Sequence, residues 1–391
     1  MIDLNSKSCT ACGACVGKCP VGCLSLAADE NGFLHPTLSE GCINCGACDK
    51  ACPIGKNIPA TTQHAYAAVS NNERELALAT SGGIFGALAG SVLDRGGAVY
   101  GCAYVGHLKA THVRVSTREE LSALFGSKYV QSNTADTFRE CKNDLDEGRV
   151  VLYSGTPCQI AGLLGYLGKS YDNLITVDIV CHGVASQAYF DKFISYLEEC
   201  EGATCTDYSF RSKRNAGWSV AGMATFKADT GREFSQKQYY FSNYYYYYYL
   251  SCSTYRESCY TCEYARGERV GDITLGDLWG AEGLSLPFAT EGGTSLVITN
   301  TAAGEELFSK LDVKRCEIPM DVAVKYNHQL SHPSSPKHNR DELMRMYREG
   351  SARDMQNYFK AKNKKRILIA KIKYAVPAWI RRALLKFKYK K

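Results

Sequence analysis

From residue 63 onward the chain alternates short apolar runs with helix-like stretches. Residues 65–69 read as a strand. Residues 84–93 read as an apolar, small-residue helix opening behind Thr80-Ser81-Gly82-Gly83. Residues 97–105 and 112–115 read as two more strands. Thr117-Arg118-Glu119-Glu120 has the form of a capping box and predicts a helix running toward Gly126-Ser127-Lys128-Tyr129-Val130. Val150-Val151-Leu152-Tyr153 is a buried-strand run. Thr156 as cap and Pro157 as first helical residue then predict a helix through Leu167. Residues 174–180 form a second buried run, and Ser186 caps a helix to Glu199. This strand–helix–strand–helix order predicts a largely parallel sheet. Cys158 and Cys181 fall just past strand ends, the edge where open α/β sheets place their ligands. Cys158 also lies in the first turn of its helix, where the dipole favours a thiolate.

Two stretches break the rhythm. Tyr244 to Tyr249 is an unbroken run of six among 26 tyrosines. Neither a helix nor a strand turns six successive side chains toward one site. The run therefore reads as an element with tyrosine on both buried and exposed faces, rather than as an aromatic wall or an electron route. Residues 360–391 interleave Ile367, Leu368, Ile369, Ile372, Trp379, Ile380, Leu384, Leu385 and Phe387 with 13 Lys or Arg and no Asp or Glu. Pro377 divides the stretch into two short helices.

Charge changes the picture only through this tail. The net charge is +6, but the other residues hold 33 basic against 40 acidic groups. A basic amphipathic tail suits an anionic membrane surface, a docked helix or an acidic partner. Nucleic acid is not indicated, because no recognition motif accompanies the charge. The 391 residues, 45% hydrophobic and 22% charged, suit a soluble globular protein of two or three domains. Met1-Ile2-Asp3-Leu4 lacks the start of a secretory signal, and no window nears 18 uninterrupted apolar residues, so a cytoplasmic protein is expected.

Cysteine is the unusual component, with 19 clustered unevenly. In a long chain of this kind, metal or redox use is more usual than disulfides. Cys9, Cys12, Cys15 and Cys19 follow C-x2-C-x2-C-x3-C with Pro20 next, and Cys42, Cys45, Cys48 and Cys52 repeat it before Pro53. Even the flanks repeat, Gly13-Ala14 and Gly46-Ala47. This is the run of two-cluster bacterial ferredoxins, in which the fourth cysteine serves the other cluster. One [4Fe-4S] cluster is assigned to Cys9, Cys12, Cys15 and Cys52, the other to Cys42, Cys45, Cys48 and Cys19. Zinc-ribbon pairs are the disfavoured alternative. Cys23 reads as a packed small residue, with Asn31-Gly32 as the turn between the halves.

Cys158, Cys181, Cys259 and Cys262 make a further set of four soft ligands. A third four-iron cluster is the reading. Spacing alone leaves open a zinc site, a redox dithiol at Cys259 and Cys262, or buried thiols, with Cys252 as a competing ligand. Cys102, Cys141, Cys200, Cys205 and Cys316 read as ordinary thiols. The glycine-rich helix start at Ser81, Gly82 and Gly83 suits either a flavin or nucleotide phosphate or a plain cap. Lys128 suits a phosphate, an electron-rich ring or the solvent.

Five segments, in order, resemble one family: Thr80-Ser81-Gly82-Gly83, Gly155-Thr156-Pro157-Cys158-Gln159, Cys181-His182-Gly183, Ser258-Cys259-Tyr260-x-Cys262, and Gly271 to Gly280 reading GDITLGDLWG. It is the beta-subunit family of coenzyme F420 hydrogenases and dehydrogenases, and the resemblance covers roughly residues 63–301. Phe210-Arg211-Ser212-Lys213 and Gly217-Trp218 resemble bacterial members that also carry an N-terminal ferredoxin. The resemblance implies FAD and one further [4Fe-4S] cluster on Cys158, Cys181, Cys259 and Cys262. It also implies that Ser81, Gly82, Gly83, Lys128, Tyr129 and Thr156 lie near the flavin. Coenzyme F420 is not carried over as the substrate.

The expected fold class is an α+β ferredoxin-like two-cluster module, an α/β domain with a largely parallel sheet and an added antiparallel β region, and a basic helical C-terminal tail. The expected domains are residues 1–56 (ferredoxin), 63–145 (flavin-phosphate side), 146–330 (third cluster and flavin) and 331–391 (linker and tail). The expected function is electron passage between the clusters and FAD and on to, or from, an organic acceptor. A redox partner protein or small electron carrier is the expected partner. An anionic membrane surface is the candidate partner of the tail, which would place the protein peripherally on the inner face of the membrane. The alternatives are a non-catalytic subunit of a larger redox complex or a redox-sensing cluster protein at the membrane. His182 is the candidate proton donor to the acceptor, with a loop-orienting hydrogen bond as its alternative role.

Overall fold

The computed structural model describes residues 2–4, 6–58, 62–134, 136–213 and 218–376. The N-terminal module holds two short helices, Ala14–Lys18 and Ala47–Ala51. Beside them lies an antiparallel pair, β1 (Leu24–Ala28) and β2 (Leu34–Leu38). The sequence duplication appears in the backbone. Ala11 and Gly13 in the first cysteine run, and Asn44 and Gly46 in the second, all take left-handed φ values between 51° and 82°. Loops that curl in this way turn successive amides inward and suit a bound anionic group.

Eleven further strands follow among the described residues: β3 (His64–Ser70), β4 (Ala98–Val105), β5 (Lys109–Val115), β6 (Val151–Gly155), β7 (Leu174–Ile179), β8 (Thr204–Ser209), β9 (Ala221–Lys227), β10 (Glu233–Tyr239), β11 (Ile273–Asp277), β12 (Ser295–Thr299) and β13 (Val313–Ile318). Eight of them form one sheet in the order β13-β3-β12-β11-β7-β6-β4-β5. Only its centre is parallel: β4, β6, β7 and β11 run together, and every outer pairing is antiparallel. The sheet is therefore mixed. β5 returns from β4 through a tight turn at Gly106 (φ 56°) and so reverses direction, which a crossover helix would not do. Strands from residues 63–145 and 146–330 interleave in this sheet, so the two regions share one core. The added antiparallel region is the three-stranded sheet β10-β9-β8.

The helices near the site begin as their caps predict. Pro157–Leu167 starts behind Thr156, whose N–H donates to Gln159 Oε1 at 3.0 Å. Gln187–Glu201 starts behind Ser186, whose Oγ accepts from the Tyr189 N–H at 3.2 Å. The segment after Thr117 differs from expectation. Glu120 does accept from the Ser116 and Thr117 amides, yet Glu120–Leu124 is only a 3-10 turn. Leu121 and Leu124 are the buried pair, and their three-residue spacing suits that tighter helix.

The tyrosine run also differs. It forms the helix Tyr244–Leu250, capped by Asn243, and five of its six tyrosines are buried. The helix is enclosed by Gln187–Glu201, the three-stranded sheet and the C-terminal helices, so it has no free face. Hydroxyls reach backbone carbonyls instead of water: Tyr245 donates to Tyr129 O at 2.8 Å and Tyr249 to Gly183 O at 2.9 Å.

The N-terminal module is seated on the body by polar and apolar contacts. Phe33, at the β1–β2 turn, is buried in the body's aromatic core. Thr134 Oγ1 donates to Cys12 O at 2.9 Å, Gln131 Nε2 to Thr10 O at 3.0 Å and Lys18 Nζ to Tyr166 O at 2.7 Å. Ser186 serves both parts, because its Oγ also donates to Asn31 O at 3.0 Å. Ser186→Ala is expected to lower stability by about 1 kcal/mol, the usual cost of a lost cap. Chemical denaturation of the anaerobic protein checks this.

Candidate functional site

The cysteines fall into three groups. In the first, Cys12 lies in the field of Cys158, Cys15 and Cys52, and Cys15 in that of Cys9 and Cys52. Cys9, Cys12 and Cys15 from one run are thus joined by Cys52 from the other. In the second group, Cys42, Cys45 and Cys48 line a small cavity of about 80 Å³ together with Cys19. Cys23 lines it too, with its Sγ 3.4 Å from that of Cys19, so this buried residue adjoins the group instead of packing elsewhere. In the third, Cys181 lies in the field of Cys259, Cys158 and Cys262. Cys252 does not line the cavity that these four share.

Local structure places each member of the third group. Cys158 follows β6 and Cys181 follows β7, so both stand at the C-terminal edge of the parallel strands. Cys259 lies in the 3-10 turn Glu257–Thr261, and its N–H donates to Arg256 O at 3.0 Å. A buried ion pair holds the following loop to β7. Arg269 Nη2 donates to Asp178 Oδ1 at 3.1 Å, and Asp178 also accepts from the Val270 and Gly271 amides. Arg269 Nη1 donates to Tyr264 O at 2.9 Å, which fixes the chain just after Cys262.

Burial sets the electrostatics of these thiols. It pushes Cys259 up to about 12 and Cys262 up to about 11, with the neighbouring thiolates adding to the rise. Cys158 also rises, because desolvation outweighs the helix start and the Thr156 hydroxyl 3.2 Å from its sulfur. The expected dipole-stabilised thiolate is therefore not what this position favours on its own. Four buried thiols become thiolates together only when a cationic group joins them. Among the described residues no three His, Cys, Asp or Glu side chains converge on a single-ion position. The hydroxyls of Ser258 and Tyr264 line the same cavity, are buried and have no hydrogen-bond partner, and the Thr10 hydroxyl there faces Cys158. Tyr264 lies in the field of Cys158, Cys12 and Cys262, where an O–H donor suits cluster sulfur. The donor set thus fits a four-iron cluster.

The cavity is large, about 510 Å³, and extends well past the thiols. Ser81, Gly83, Lys128, Thr156 and His182 all line it. Gly82 does not. Its N–H donates to Ser295 Oγ, and a Cβ there would sit 2.3 Å from Ala68 O, so this glycine permits close packing on β3. Gly83 takes a left-handed φ of 81° and opens the helix Ile84–Leu93. Lys128 is half-buried, and its Nζ donates to Phe125 O at 2.8 Å and Ala123 O at 3.1 Å. Burial lowers its pKa. His182 is held near 4, first by desolvation and then by His328, so its ring is neutral at pH 7.

Tyr129, expected near the flavin, lines the cavity too, and other lining residues meet in ways their own segments do not indicate. Tyr129 and Tyr249 stack at 4.7 Å and form an aromatic wall from two distant segments. Arg211 pairs with Asp277 and lies over Trp279, which stacks on Trp218 at 5.3 Å. Arg211, Trp218, Asp277 and Trp279 stand within quoted motifs, but nothing in those motifs shows that they meet. Arg256 Nε donates to Cys9 O at 2.7 Å, and its charge lowers both Cys158 and Cys259, so it bridges the first and third groups.

His112 also lines the cavity. Its Nε2 donates to Ser154 O at 2.9 Å, its Nδ1 lies 3.1 Å from Ser132 Oγ, and burial lowers its pKa from 6.5 to about 4. The folded state therefore resists protonation that the unfolded chain accepts between these values. The associated stability is present above about pH 6.5 and is lost as the pH falls toward 4. Stability is expected to drop by about 1 kcal/mol between pH 7 and about pH 5.5. His112→Gln should flatten that drop, as read by denaturation with iron content checked at both pH values.

Comparison with known proteins gives two partial family matches. Residues 148–319 match the family model for the C terminus of the beta subunit of coenzyme F420 hydrogenase/dehydrogenase. Residues 2–25 match the 4Fe-4S binding domain. No match was found among curated proteins. Among solved structures, a chain of the F420-reducing [NiFe] hydrogenase complex from Methanosarcina barkeri is 16% identical with a TM-score of 0.43. That match covers 80% of this chain and 95% of the other.

Proposed function

We propose that this chain, which carries a 4Fe-4S binding domain and the C-terminal domain of the coenzyme F420 hydrogenase/dehydrogenase beta subunit, is an iron–sulfur flavoprotein oxidoreductase. In this reading it passes electrons between three [4Fe-4S] clusters and FAD, and on to or from an organic acceptor. One observation carries the reading: a single cavity is lined at once by four grouped thiols and by Ser81, Gly83 and Lys128.

When bound, the clusters supply one-electron transfer and the flavin supplies the exchange between one- and two-electron chemistry. The chain's own residues do the rest. Cys158, Cys181, Cys259 and Cys262 hold the third cluster, and the cationic Arg256 offsets its charge. Ser81, the amides behind Gly83 and Lys128 would hold the anionic part of a flavin, and Thr156, Tyr129 and Tyr249 line the same cavity. His182, neutral at pH 7 and lining the cavity, can accept a hydrogen bond from a bound molecule but carries no second proton to give it.

The module's seat orders the groups. Cys12 packs against Gly162, where an added Cβ would meet its Sγ at 2.8 Å. Gly162 stands one helical turn, a rise of about 6 Å, beyond Cys158. The first and third groups therefore meet across a single turn of one helix. The second group lies in its own cavity in the module, apart from this contact, and Cys45 within it is exposed. It is the point of exchange with a redox protein or small carrier.

Anaerobic purification with iron, sulfide and flavin quantified tests the proposal. About twelve irons and one FAD per chain are expected from three four-iron clusters. About eight irons without flavin would overturn the cavity assignment. Full cofactor content without turnover of any small acceptor would instead indicate a subunit serving another catalytic chain.

A further inference from the structure

The helix Lys364–Ala375 is amphipathic in an inverted sense. Its inner face is tied to the body. Ala370 is buried, Ile367 packs against the aromatic core, and Tyr374 meets Phe241 and Tyr239 at ring distances of 5.0 Å. Arg366 Nη1 donates to Tyr247 OH at 2.9 Å at the edge of this seat. Ile367, Ala370 and Tyr374 recur at helical spacing and use up one face.

The opposite face is also apolar. Leu368, Ile369 and Ile372 are 60%, 65% and 61% exposed. At 100° per residue these three form one contiguous patch, since 368 and 372 are four apart and 369 and 372 three apart. Lys364 and Lys371 flank the patch on one side, Lys373 and Arg366 on the other, and Lys365 lies within it; all five are exposed. Scattered apolar residues on a surface need no explanation, but three large aliphatic side chains together between rows of basic residues do. Among the described residues no helix is long and apolar enough to cross a membrane.

We propose that this outer face lies on an anionic lipid surface, with Leu368, Ile369 and Ile372 inserted among the acyl chains and the flanking lysines at the headgroups. Charge complementarity selects that partner. Residues 360–391 hold 13 Lys or Arg and no Asp or Glu, whereas the rest of the chain has an excess of acidic groups. Long lysine side chains at the rim of an apolar stripe let their stems follow it while the charged ends reach phosphate. Because the inner face stays on the body, the helix binds lipid without unfolding any of the core. The inference is independent of the cofactor assignment.

The test uses the full chain, sedimented with phosphatidylcholine vesicles with or without phosphatidylserine. Binding is expected only to the phosphatidylserine vesicles and weakens with added salt. The triple variant L368S/I369S/I372S is expected to lose at least about tenfold in binding while iron content and circular dichroism stay unchanged. Lys371→Gln alone is expected to weaken binding about fivefold, as one basic residue near such a surface does. Three outcomes would overturn the proposal. The wild-type chain fails to bind either vesicle, binding ignores lipid charge, or the triple variant binds as the wild type does. The last result would move the lipid contact to another part of the chain, and the first would leave the face for a protein.

Discussion

Cys259→Ser is expected to remove about four of the twelve irons proposed for this chain and to leave the proposed N-terminal clusters intact. Cys259 is buried among Cys158, Cys181 and Cys262, in a turn fixed by its own N–H on Arg256 O. A serine hydroxyl there is harder and less acidic than a thiol that burial already makes hard to ionise. The remaining three thiols leave one iron of the proposed cluster without a protein thiolate, which weakens its hold. Electron delivery into the cavity should fall by about two orders of magnitude or more, beyond the loss seen when only a supporting contact is removed. Iron analysis and low-temperature EPR of wild type and variant give the answer. An unchanged iron content would remove Cys259 from the ligand set.

Gly162→Val is expected to break communication between the first and third groups without emptying either. A Cβ at Gly162 would stand 2.7 Å from Cys12 Cβ and 2.8 Å from its Sγ. Neither side has room to move. Cys12 sits in a loop pinned by Thr134 and by Gln131, and Gly162 is in the middle of Pro157–Leu167. Gly165, one turn along, makes the same close approach to Ala51 O, so the helix meets the module through backbone at two points. Overpacking of this kind costs about 1–3 kcal/mol, and the module relieves it by lifting from the helix. Stopped-flow mixing with a one-electron donor should show the N-terminal clusters reduced at the normal rate. Arrival of electrons in the second domain should slow about tenfold or more, as a shift of the docked module by even a fraction of its contact separation changes the path. Gly162→Ala should have a smaller effect of the same sign. Equal rates in all three proteins would show that electrons do not cross at this helix.

Some of the site is legible in the sequence because its signals are local. The two cysteine runs are contiguous, so their spacing and duplication follow from distances along the chain, and the proposed exchange of the fourth cysteine from their likeness to two-cluster ferredoxins. The start of Pro157–Leu167 is equally plain, since Thr156, Pro157 and Gln159 act within one turn. Other local signals are overruled by packing. The capping box at Thr117 forms its hydrogen bonds, but the buried Leu121 and Leu124 draw the turn into 3-10 form. The pattern of the six tyrosines predicts a division between core and solvent. Packing from every side buries five of them, and backbone carbonyls take hydroxyls that water would otherwise have served.

By itself, the sequence determined the kinds of chemistry present: soft thiolate sets, a glycine-rich helix start, and a tail whose basic charge opposes an acidic body. These depend on residue type and short spacing, which survive any folding of the chain. Tertiary structure alone decided which groups share a space. It brought Cys158, Cys181, Cys259 and Cys262 to one cavity with Ser81 and Lys128. It reversed the outer strands of a sheet expected to be mostly parallel, and it set Cys12 one turn from Cys158. It also chose the face of Lys364–Ala375 that stays outside. The physical reason is common to all four. Apart from the β4–β5 hairpin, which turns locally at Gly106, each depends on contacts between segments far apart in the chain, and such contacts are set by packing and burial, which no local pattern encodes.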